Sequence, residues 1–231
     1  MADSLTFDGV DDYIQFSAGA IDGTGALTVV AIVKMTANAT SFRELLGWNS
    51  MDAVWGVNNQ NPASPIWFPE DGPYTYDFTW TAEENWVLLG LSKIDGGPVQ
   101  PRLHKYVYDT DTWTHTQPGN DISVELPACT SVKIGATGTP GNFMNASFLI
   151  MGWWDSVLAD GDIETLIPGT DAWVDLSPAE AWRFNTMSAI DSLTGTSTET
   201  TRVGTSLNSG DAPAGWDDGG VAQNQIAWIR A

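Results

Sequence analysis

Leu27-Thr28-Val29-Val30-Ala31-Ile32-Val33-Lys34-Met35 decides the fold. Leu27, Val29, Ala31, Val33 and Met35 share one face of an extended chain, and Thr28, Val30, Ile32 and Lys34 share the other. The same period of two recurs on both sides of this run. Upstream, Leu5-Thr6-Phe7 and Tyr13-Ile14-Gln15-Phe16 flank Asp8-Gly9-Val10-Asp11-Asp12, a strand, turn and strand. Downstream, Val87, Leu89 and Leu91 alternate towards the turn Asp95-Gly96-Gly97-Pro98. Leu103, Lys105 and Val107 oppose His104, Tyr106 and Tyr108, and Trp113 and His115 lie on the returning arm of that hairpin. Val132 and Ile134 form another short strand. Phe148, Ile150, Gly152 and Trp154 alternate with Leu149, Met151 and Trp153. Short strands separated by turns predict an all-β sandwich or jelly roll.

Two helices are expected between these strands. One lies near 160–167, where Ile163, Leu166 and Ile167 have helical spacing and Asp160 or Asp162 can cap. The other lies near 178–184, behind the capping box Ser177-Pro178-Ala179-Glu180. From 191 to 220 the chain is rich in Thr, Ser, Gly, Asp and Pro. It holds too few apolar residues for a core of its own. The expected division is a sandwich over 1–170 and a C-terminal extension over 171–231. The extension packs on the sandwich or on a neighbouring subunit, through Trp182, Phe184, Trp216 and Trp228.

The order of these segments resembles laminin-G-like, concanavalin A-like jelly-roll domains. The opening pair Leu5 to Ile14, the long strand Leu27 to Met35 and Trp86-Val87-Leu88-Leu89-Gly90-Leu91 all carry the likeness. So do Leu103 to Tyr108 and the closing run Val132 to Gly135, Phe148 to Trp154 and Leu158 to Leu166. The resemblance covers about residues 5–168. It implies two antiparallel sheets, sugar binding, and calcium at loop carboxylates. A second resemblance lies in Ala181-Trp182-Arg183-Phe184-Asn185, Asp191 to Gly195 and Asp211 to Trp216. These look like the tail of virion proteins from tailed phages of actinobacteria, minor tail or capsid-surface proteins. That implies a virion-surface protein, with other virion proteins, copies of itself and a host-surface glycan as partners. A free-standing lectin is the alternative.

Composition sets outer limits. The 231 residues carry 9 Lys and Arg against 29 Asp and Glu, a formal net charge of −20. Such a chain lacks the basic footprint that nucleic acid or anionic lipid demands. Apolar residues at 42% and 12 Trp exclude a disordered acidic polymer. No apolar run approaches the roughly 20 residues of a membrane-spanning helix. Nothing like an export signal precedes Leu5, so folding in a host cytoplasm is expected.

No catalytic pattern emerges. Glycoside hydrolysis needs two carboxylates held across the bond, and the Glu-x-Asp-x-Glu string of the glucanases of this fold is absent. No enzymatic activity and no required cofactor are expected. Cys129 is a lone cysteine, more often a small buried residue than a nucleophile. His104 and His115, on neighbouring arms of one hairpin, form a conceivable metal pair without a third nitrogen or sulfur ligand nearby in sequence. Asp8, Asp11 and Asp12 offer clustered oxygens suited to calcium, or serve the turn through backbone hydrogen bonds. Trp55, Trp67, Tyr74, Tyr76 and Trp80, interleaved with Asn and Gln, are the sugar-stacking candidates. The same rings could equally pack in the core or at an interface.

Overall fold

A computed structural model describes residues 3–17, 19, 21, 25–36, 43–49, 55–57, 65–67, 74–75, 85–94, 101–117, 129–137, 141–188, 190 and 192–216. Among these residues the strands are β1 (Ser4–Asp8), β2 (Tyr13–Ser17), β3 (Leu27–Met35), β4 (Arg43–Trp48), β5 (Trp55–Val57), β6 (Pro65–Trp67), β7 (Tyr74–Thr75) and β8 (Trp86–Lys93). They continue with β9 (Arg102–Val107), β10 (Thr112–Thr116), β11 (Ser131–Ile134), β12 (Asn145–Trp154), β13 (Glu180–Arg183), β14 (Glu199–Val203) and β15 (Ser206–Asn208). Two short helices, α1 (Asp160–Glu164) and α2 (Thr170–Asp175), follow β12. The strands form two antiparallel sheets. One runs β10-β9-β8-β3-β12-β1-β15, with β13 also on β12, and the other runs β14-β2-β11-β4-β5-β6-β7. The chain is an all-β two-sheet sandwich of the concanavalin A-like, jelly-roll kind.

The larger sheet buries both of its faces. Towards the partner sheet lie Leu27, Val29, Ala31 and Val33 with Val87, Leu89, Leu91 and Leu103. On the outer side, Val30, Ile32, Leu88, Tyr106, Ile150 and Trp154 form a second core beneath Ile163, Leu166 and Trp173. Ile163 and Leu166 are thus the buried stripe that their spacing predicts. Hydrogen bonds stitch this cover to the sheet. Trp154 Nε1 donates to the Leu176 carbonyl at 3.0 Å, Trp173 Nε1 to Leu166 at 2.9 Å, and Tyr108 Oη to Ile167 at 3.2 Å. Gly152 lies under the two tilted indoles. A Cβ there would come within 2.7 Å of the Trp154 ring and 3.0 Å of Trp173.

Strand β12 departs from simple alternation. Its register against β3 slips between Phe148 and Ile150. A bulge adds one residue and reverses the phase of the residues after it. Phe148 therefore shares the inter-sheet core with Met151 and Trp153, while Ile150 and Trp154 face the outer core.

The expected helix near 178–184 is a strand. Ser177 takes a left-handed backbone (φ 50°), and β13 pairs with β12 from Trp153↔Glu180 to Ile150↔Arg183. Glu180 does not reach back to close a capping box. Its buried carboxylate accepts Thr196 N–H at 2.9 Å, Ser197 N–H at 3.1 Å and the Ser197 hydroxyl at 2.7 Å. Trp182 Nε1 donates to Ser197 Oγ at 2.7 Å. Both Trp182 and Phe184 are fully buried in the inter-sheet core, so they anchor the segment on the sandwich itself and face no neighbour. Trp216 packs half-buried against the outer core, and Trp228 lies outside the described residues. The Thr-rich arm supplies β14 to one sheet and β15 to the other.

Glu180 is therefore the fastener of the C-terminal strands. Removing a buried charged acceptor of several hydrogen bonds costs about 3 kcal/mol or more. Glu180→Ala is expected to lower the unfolding free energy by that amount, moving the urea midpoint down at unchanged m-value. A variant as stable as the parent would contradict this role.

Candidate functional site

The sheet ladder places His104 and His115 directly opposite each other on β9 and β10. Both project from the outer face of the larger sheet, where α1 covers it. His104 is fully buried, and His115 is 14% exposed at its side chain. Their Nδ1 atoms face each other at 2.9 Å. Helix α1 brings Asp160 to the pair, with Oδ1 at 3.7 Å from His104 Nδ1 and 3.8 Å from His115 Nδ1. Sequence inspection finds no third ligand because Asp160 is 45 positions from His115 and meets it only through the covering layer.

Each group is held from behind. Arg102 Nε donates to Asp160 Oδ1 at 2.8 Å, and Arg102 Nη2 pairs with Oδ2. These hydrogen bonds hold the Asp160 carboxyl below the usual carboxylate range. Glu164 Oε1 lies 3.1 Å from His115 Nε2, and Ser92 Oγ lies 3.2 Å from His104 Nε2. His115 stacks on Trp113 with centroids 5.0 Å apart, and Trp113 leans on Tyr106 at 4.9 Å. Burial pushes His104 down to about 3, with the neighbouring His115 adding to the shift. This cluster of two histidines and one aspartate can hold a metal ion.

A second cluster, Asp8, Asp11 and Asp12, closes the β1–β2 turn. Asp12 Oδ2 accepts Asp8 N–H at 2.7 Å, and Asp8 Oδ1 accepts Val10 N–H at 2.7 Å. Asp12 is 4% exposed, and Gly204 (φ 76°) lies so close that a Cβ would meet its Oδ1. Burial raises the Asp12 pKa above the ordinary value, against the hydrogen bond from Asp8. The oxygen-only donor set matches calcium's preference. Two of its three carboxylates also serve as turn acceptors.

The expected sugar-stacking residues fare differently. Trp55 is 1% exposed and sits in the inter-sheet core, packed away from any ligand. Backbone register aligns Trp55, Trp67 and Tyr74 in one row across β5, β6 and β7. Tyr76 and Trp80 lie outside the described residues. Cys129 packs against the core, and burial pushes its thiol up to about 12.

No family model and no curated protein matches this sequence. Solved structures share its fold. A candidate carbohydrate-binding protein from Bacteroides ovatus overlaps with a TM-score of 0.64 at 14% identity, over 92% of this chain and 61% of that one. This chain thus spans less than two thirds of that protein. A heptameric SAP-like pentraxin from Limulus polyphemus overlaps with a TM-score of 0.50 at 13% identity, over 71% of this chain and 81% of that one.

Two outcomes test the local chemistry. The unfolded chain protonates His104 below its ordinary value of 6.5, whereas the folded chain keeps it neutral down to about 3. In chelator, stability should fall as pH drops below 6.5, by about 1.4 kcal/mol per pH unit from this residue. Asp12 acts in the opposite sense at more acidic pH, so urea titrations between about pH 7 and 5 isolate the effect. A flat profile there would contradict a buried neutral His104. Cys129, a thiol about 0.01% ionised at pH 8, should react with iodoacetamide about a thousandfold more slowly than free cysteine. Labelling at the free-thiol rate would show that its burial is wrongly placed.

Proposed function

We propose that this chain is a lectin-like carbohydrate-binding module that holds glycans without cleaving them. The observation that carries this reading is the sandwich itself, which overlaps over 92% of the chain with a candidate carbohydrate-binding protein. The excursion from Trp48 to Trp80 adds support, because it combines Trp and Tyr with Asn and Gln. Aromatic faces take the apolar side of a sugar ring, and amides take its hydroxyls. With Trp55 occupied in the core, Trp67, Tyr74, Tyr76 and Trp80 are the proposed contacts.

Absence of catalysis is part of the proposal. A glycosidase needs two carboxylates free to exchange protons and attack carbon. Asp160 is tied to Arg102, Asp8 and Asp12 to turn amides, and Glu180 to the amides of 196–197. Calcium at Asp8, Asp11 and Asp12 belongs to the same reading, as an ion that would stiffen the β1–β2 turn. Self-association belongs to it as well, since weak single-site sugar contacts gain strength when copies act together. The likeness of residues 181–216 to minor tail or capsid-surface proteins of tailed phages supports a virion surface as the setting, with a host glycan as the target.

A glycan array probed with the full chain, paired with a reducing-sugar release assay, tests the proposal. Retention of at least one glycan class without product release is expected. Trp80→Ala and Tyr76→Ala should each weaken it about tenfold, the worth of one stacked ring. An array without retained glycans, or sugar release by purified protein, would overturn it.

A further inference from the structure

Oxygen atoms hold the outer nitrogens of His104 and His115. Thr28 Oγ1 donates to the Ser156 carbonyl at 2.8 Å and to Ser92 Oγ at 3.1 Å, and accepts Leu158 N–H at 2.9 Å. Ser92 Oγ, placed by Thr28, meets His104 Nε2 at 3.2 Å. In the tautomer in which Nε2–H donates to Ser92 Oγ, His104 presents a bare Nδ1. The Glu164 carboxylate only accepts, which places a hydrogen on His115 Nε2. Its Nδ1 is bare in the neutral ring.

Two lone pairs and a carboxylate oxygen thus converge on one point. Nδ1 atoms 2.9 Å apart either share a hydrogen or, when both are bare, face a common cation. The Nδ1, Nδ1 and Oδ1 atoms form a triangle with sides 2.9, 3.7 and 3.8 Å. A point about 2 Å from all three lies close to their plane, and about 2 Å is the bond length of zinc to imidazole and carboxylate. The outer nitrogen of each histidine is oriented by an oxygen acceptor, and the carboxylate by Arg102. That is the supporting shell that metal-bound histidines and carboxylates have. Calcium requires six to eight oxygens at longer distances, which imidazoles do not supply. Asp160, at 36% exposure, is the solvent side, leaving a fourth position for water or a ligand oxygen.

We infer that His104 Nδ1, His115 Nδ1 and Asp160 Oδ1 form a binding site for a zinc-class divalent cation that clamps α1 onto the β9–β10 hairpin. The site is independent of glycan binding.

The full chain, stripped with a chelator and dialysed, is titrated with zinc chloride and, separately, with calcium chloride. Calorimetry and melting are read together. One zinc per chain and a rise in melting temperature of several degrees are expected, with no response to calcium at this site. Cobalt in place of zinc should give the intense visible absorption of a tetrahedral site. His104 is fully buried, so the variants are placed at its partners. His115→Gln and Asp160→Asn should each weaken zinc binding at least about tenfold while the metal-free far-UV spectra stay unchanged. Glu164→Gln should weaken it less. No zinc uptake, zinc uptake by both ligand variants equal to that of the parent, or calcium binding abolished by them would each overturn the site.

Discussion

Burial of both faces of one sheet is the constraint on which the rest of this structure depends. Strand β3 carries apolar residues on both sides, so the larger sheet cannot leave its outer face to water. Residues 155–176 solve this by laying α1 and α2 across Val30, Ile32, Leu88, Ile150 and Trp154. Truncating one large buried side chain in such a layer costs about 3–5 kcal/mol, and Trp154 and Trp173 each present one. Their indole N–H groups find carbonyl partners inside the covering layer. The cover is therefore held by apolar contact and fixed in position by directed bonds.

The same cover creates the polar cluster. Its first turn carries Asp160 over the edge hairpin, and its next turn carries Glu164. The hairpin alone would set two histidines side by side without a counter-group. A layer whose first duty is to shield Ile32 and Leu88 thus also completes a set of ligands. Fold and candidate chemistry are consequently not separable here. Loosening the apolar cover would move Asp160 before it moved either histidine, since β9 and β10 are held by their own ladder.

Much of the fold was legible in the chain. Period-two rows located most of the long strands, and Ile163 with Leu166 located the covering helix. Three things were hidden, each for a physical reason. The bulge at Leu149 reverses a phase that sequence alternation carries straight through. Glu180 sits in a good capping box, yet its carboxylate gains more amide partners from 196–197 than a helix start would offer. β14 is polar and half-exposed and β15 is exposed throughout, so no apolar rhythm announces them. The candidate site was half legible. The histidine pair follows from the hairpin, but Asp160 joins it only through tertiary packing. Trp55 shows the converse, because aromatic composition cannot say which rings face water.

A crystal structure of the full chain grown with zinc, with diffraction recorded on both sides of the zinc absorption edge, tests the central claim most directly. The account predicts one anomalous peak about 2 Å from His104 Nδ1, His115 Nδ1 and Asp160 Oδ1, with α1 seated on the outer face of the larger sheet. An empty triangle with the two rings still in contact, or α1 lifted from that face, would contradict it.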